Sequence, residues 1–131
     1  MTLEEIEQSL PNGLHDAYIT NIRLDYVKRE ARFDLEVSWD DPEKEEPESY
    51  RAATLSLSPF LYFIIEPPDS KYPFAHKEAL WIDAGSDKLN SVSTTQLPKP
   101  LPEGAFAYWF FVNNWNSFIH VAALDASIVL H

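Results

Sequence analysis

Four histidines, His15, His76, His120 and His131, carry most of the metal-binding and proton-transfer chemistry open to this chain. There is no cysteine, which removes thiolate nucleophiles, thiolate metal sites and disulfides together. Imidazole and carboxylate ligands suit several first-row transition metals. A metal-dependent enzyme would therefore be assembled from His15, Asp16, His76 and His120, yet no two of these histidines share a local motif. His15-Asp16 falls between a Pro11-Asn12-Gly13 turn and a strand. The plain expectation there is that Asp16 bonds turn backbone and His15 packs at the strand mouth. His120 lies in an apolar strand, the usual place of a satisfied core or edge residue, and His131 is terminal, where fraying is expected. Glu66 and Asp69 flank two prolines and Asp83 ends a strand, but nothing in their neighbours distinguishes them among 21 acids as a glycosidase pair. No catalytic or metal residue is assigned, and His15, Asp16 and His120 stay as residual site candidates. With only Gly13, Gly85 and Gly104, no phosphate-cradling loop or dinucleotide fingerprint can be written, and no cofactor is expected.

Binding chemistry is better represented. Ten basic against 21 acidic residues give a net charge of −11. Such a surface repels phosphate backbones and anionic lipid head groups, so nucleic acid and membranes are poor partners and a basic protein is a better one. Residues 40–48 hold six acids and one lysine, −5 of the total, with two prolines and nothing to bury. They read as an exposed loop in which Glu43, Glu45, Glu46 and Glu48 would steer a basic partner, with Tyr50 or Trp115 as anchors. The same acidity also serves solubility. Tyr62, Tyr72, Trp81 and Trp115 offer an alternative, an aromatic-lined groove for a small ligand or carbohydrate. Trp115 sits in a turn, either as a contact residue or folded back as a lid on the core.

These side chains need a scaffold, and 131 residues at 45% hydrophobic suffice for one domain, residues 1–131. Thr2-Leu3-Glu4-Glu5 has the form of a capping box, and Leu3, Ile6 and Leu10 follow at helical spacing, predicting a helix over residues 3–10. After Asp16 the period becomes two, with a phase slip near Thr20-Asn21 that predicts a β-bulge. Lys28-Arg29-Glu30 turns the chain into the clearest half-buried strand, Phe33, Leu35, Val37 and Trp39 alternating with polar residues. Residues 50–58 and 80–85 read as further strands. Residues 59–65 are apolar throughout, so periodicity does not separate strand from helical turn. Residues 86–103 form a long, proline-rich loop. Residues 105–112 are apolar on both faces, and residues 106–112 with residues 119–124 should make the central pair. Residues 126–130 continue that strand or form another. The fold class is mainly β (α+β): an antiparallel twisted sheet or two-sheet sandwich of six to eight strands with a short N-terminal helix.

The N-terminus is acidic and lacks the apolar stretch of a secretory signal, and the longest apolar runs are too short to span a bilayer. The expected compartment is the cytoplasm.

Leu14-His15-Asp16-Ala17, followed by Ile19, Ile22, Leu24 and the alternation from Arg32 to Val37, resembles a group of small bacterial β-rich proteins of uncharacterised function. Ile119-His120-Val121-Ala122-Ala123 is similar to their closing strand. Some members resemble immunity proteins of polymorphic toxin systems. The likeness covers about forty residues at the start and fifteen at the end of the chain. It implies a β-rich fold and a non-catalytic role, and it transfers no functional residue. Together these features make the leading expectation a non-enzymatic acidic binding protein, an immunity-like inhibitor of a basic protein toxin.

Overall fold

The computed structural model describes residues 1–40, 49–73, 75–86 and 95–131. Its helix, α1 (Leu3–Ser9), starts where the capping box predicts. The Thr2 side chain accepts from the Glu5 backbone N–H at 3.1 Å, and the Glu5 carboxylate accepts from the Thr2 N–H at 3.5 Å. Such a cap is worth about 1 kcal/mol. Burying Leu3, Ile6, Leu10 and Leu14 contributes about 2 kcal/mol for each side chain, so packing holds the helix and the cap fixes its start. Gly13 follows in the left-handed region, φ 58°, and lets the chain turn into the sheet. Met1 C=O accepts from the Ala126 N–H at 2.8 Å, and the terminal amine pairs with Asp125, holding that carboxyl below its usual range. No helix among the described residues is long and apolar enough to cross a membrane.

The described residues form eight strands: β1 (Ala17–Asp25), β2 (Glu30–Ser38), β3 (Tyr50–Leu57), β4 (Phe60–Ile65), β5 (Leu80–Gly85), β6 (Phe106–Val112), β7 (Ser117–Ala123) and β8 (Ala126–Leu130). All pair antiparallel in one sheet of order β4-β7-β6-β5-β1-β2-β3-β8. The β1–β2 register shifts between Ile19 and Asn21, where the sequence phase slips.

Residues 60–65, undecided by periodicity, are strand because a long-range ladder claims them. Leu57 pairs with Ala126 and Phe60 with Ala123 in the same register. Between them Ser58 N–H donates to Asp125 C=O and Leu124 N–H to Pro59 C=O, both at 3.1 Å. Thus β3–β4 and β7–β8 are two bent strands paired along both their lengths, the corner device of orthogonally packed sheets.

That bend curls the sheet. In the strand order β2 and β4 are five spacings apart, about 24 Å if the sheet were flat. Instead Phe33 of β2 stacks on Phe63 of β4 with ring centroids 5.7 Å apart, and it meets Phe110 of β6 at 5.1 Å. The main core fills the concave side, with α1 contributing to it.

The β6–β7 pair forms as expected, with Phe106 opposite Ala123 through to Val112 opposite Ser117. It is interior but not at the middle of the sheet, which is β5–β1. The short β5 takes that place because it bridges two ladders, pairing with β1 through Leu80–Ile82 and with β6 through Ile82–Gly85.

Candidate functional site

The outward face of β5, β1, β2 and β3 joins aromatic rings to carboxylates. Tyr18 is the cross-strand partner of Trp81 on one side and of Glu36 on the other, so the three share the face opposite buried Ala17, Ile82 and Leu35. Tyr50 enters the same face beside Ser38, and its ring meets Tyr18 edge-on with centroids 5.5 Å apart. Trp81 is 43% exposed. Glu36 and Asp34 lie along β2, Asp83 two residues beyond Trp81, and Asp16 just before β1. Among the described residues, the ion pairs on this face are Arg23 with Asp34 at 2.9 Å and His15 with Asp16 and Asp83.

At the edge of this face, β1 and β5 bring His15, Asp16 and Asp83 together, with one ligand atom from each within 4.8 Å of the others. Asp16 sits at φ 56°, a conformation that Asp tolerates better than most residues. Its Oδ1 accepts from the Trp81 indole N–H at 3.0 Å rather than from turn backbone, and its Oδ2 faces His15 Nε2 at 3.4 Å. Asp83 Oδ2 accepts from the Asn113 amide at 3.4 Å, and Oδ1 faces His15 Nδ1. The expectation that His15 packs at the strand mouth is corrected: its side chain is 72% exposed and is positioned by two carboxylates, not by apolar neighbours. A shallow depression of about 200 Å³ adjoins the pair, lined by Asn12, His15, Asp16, Ser38 and Asp40.

His120 belongs elsewhere. It lies on β7, 1% exposed, with Nε2 3.0 Å from Glu66 Oε2. Glu66 also accepts from Thr95 Oγ1 at 2.6 Å and from the Phe118 backbone N–H at 2.9 Å, and the Phe118 ring stacks on the imidazole. The set His15, Asp16 and His120 is therefore not one site. The segment after Glu66 is pinned by Asp69, whose N–H donates to Trp115 C=O at 2.9 Å. The Asp69 carboxyl is held below its usual range, first by the Lys71 backbone N–H and then by the Asn116 amide.

Glu43, Glu45, Glu46 and Glu48 lie outside the described residues. The described flanks of that stretch, Asp40 and Ser49, meet beside Tyr50: Trp39 N–H donates to Ser49 C=O at 2.9 Å, and Asp40 Oδ1 accepts from Ser49 N–H. Trp115 is half-buried against the core, its indole N–H shielded from solvent, which is the lid arrangement. A groove of about 250 Å³ brings Trp115 together with Ile19, Ile22 and Leu80, without Tyr62, Tyr72 or Trp81. Sequence reasoning missed Asp83 and Glu66 as partners of the two histidines, and Trp81 as the partner of Asp16. Asp83 at a strand end, Glu66 before a proline pair and Trp81 among the aromatics were visible, and none carries a signal for these pairings by itself.

No family model, curated protein or solved structure matches this chain.

Proposed function

We propose that the protein is a non-enzymatic binding module that captures a basic protein on the outward face of β5–β1–β2–β3, in the manner of an immunity-like inhibitor of a protein toxin. The observation that carries the reading is the row Trp81–Tyr18–Tyr50 bordered by Asp16, Asp83 and Glu36. Aromatic side chains give large contact area at low entropic cost, and surrounding carboxylates steer a cationic partner and exclude an anionic one. The net charge of −11 extends that steering over the whole surface. The resemblance of residues 14–37 and 119–123 to small bacterial β-rich proteins, some of them immunity-like, points the same way.

The test runs tagged wild type and the Trp81→Ala/Glu36→Gln double variant in parallel over lysate of the source organism, followed by a salt gradient. The expected result is one basic protein, retained one to one by wild type, released as salt rises and lost from the variant. Retention of nothing, a smear that does not saturate, or equal retention by both proteins sinks the reading.

A further inference from the structure

The three groups at the edge of the face carry a second inference, independent of protein capture. We propose that His15, Asp16 and Asp83 bind one divalent transition-metal ion of the zinc and cobalt class. Each carboxylate is divided between two tasks. One oxygen is tied by a donor from outside the cluster, Asp16 Oδ1 by the Trp81 indole and Asp83 Oδ2 by the Asn113 amide. The other oxygen is turned toward His15. Asn113 is itself positioned, since its amide also reaches the Trp81 carbonyl at 3.3 Å. Outer donors that fix one carboxylate oxygen and leave the other to a cation are the usual support of a metal site.

Asp83 Oδ1 adds to this: it is shielded from solvent, and its partner among the described residues is the exposed His15 imidazole, in an ion pair rather than a well-formed hydrogen bond. A carboxylate oxygen withdrawn from water calls for a cation. His15 faces it, but no lysine or arginine among the described residues pairs with either aspartate.

The donor set names the class of ion. One imidazole and two carboxylates without thiolate suit zinc, cobalt or manganese rather than copper(I). Calcium takes six to eight oxygens, more than these residues supply. The imidazole spans the two carboxylates with one nitrogen toward each, so an ion seated between them takes the place of those contacts and the exposed ring turns to present one nitrogen to it. The depression beside His15 and Asp16 has room for the waters that complete the coordination.

The test titrates Co²⁺ into the full chain with any tag removed, reading visible absorbance, and then displaces it with Zn²⁺. It uses no protein partner, so it fails or succeeds separately from the capture reading. One Co²⁺ per chain is expected. His15→Ala and Asp83→Asn should each abolish the signal while the circular-dichroism melt without metal stays cooperative. Trp81→Phe, which removes the indole donor and keeps a ring, should weaken affinity about tenfold. Absence of a saturable one-to-one signal overturns the proposal, as does binding that survives both His15→Ala and Asp83→Asn, since the ion would then be held elsewhere.

Discussion

Two histidine–carboxylate groups occupy opposite environments in this molecule. His15 stands in solvent just ahead of β1, at the strand end, with Asp16 and Asp83. His120 is sealed within β7 against Glu66, whose oxygens also receive Thr95 and a backbone N–H. The difference follows from the two halves of the sheet. On β1–β3 one face is wet, and polar residues alternate with core residues. β7 is buried at every position. In water an ion pair gains little over its hydrated parts, so the His15 group is available for binding. Inside, a group stripped of water must be matched, so the His120 group is committed to structure. The same pair of residue types is thus left open to solvent in one place and committed to folding in the other.

The largest effect should come from Glu66→Ala. It removes the acceptor of Phe118 N–H, Thr95 and His120 at once, and stability should fall by about 3 kcal/mol in urea unfolding. A loss no greater than that of a surface variant would break the contrast. Thr95→Val removes one hydroxyl donor to the same carboxylate and should cost about 1 kcal/mol by the same measurement.

Titration sharpens the comparison. Tyr62, on the half covered on both faces, has its hydroxyl pushed above the ordinary tyrosine range by burial. The fold favours the neutral phenol, so that stability is complete below the unfolded value, near 10. It is lost as pH rises through the higher folded value. Urea midpoints should therefore decline at alkaline pH, and Tyr62→Phe should decline less. His15→Ala, by contrast, should change stability by no more than about 0.5 kcal/mol in metal-free buffer.

The smallest effect belongs to Asp69, half-buried, with its carboxyl lowered by the Lys71 N–H and the Asn116 amide. Its contribution is present above the unfolded carboxylate range and lost as pH falls through the lowered folded value. Asp69→Asn should therefore show a slightly shallower acid dependence of the melting temperature than wild type.

The sequence by itself determined what neighbours a few residues apart can decide. The capping box and the Leu3/Ile6/Leu10 stripe set α1, the phase slip at Thr20-Asn21 set the bulge, and the alternation from Phe33 to Trp39 set β2 with its wet face. These depend on local hydrogen bonds and on side-chain period, both written in the chain. Which strand lies beside which was left to the tertiary structure. The bent pairing of β3–β4 with β7–β8 made residues 60–65 a strand, folded Trp115 onto the core and gave His120 its carboxylate 54 residues away in sequence. It was likewise the short β5, bridging β1 and β6, that delivered Trp81 and Asp83 to Asp16 and His15. Such contacts form only when loop closure has been offset by burial of the whole core, so no short stretch of sequence contains them.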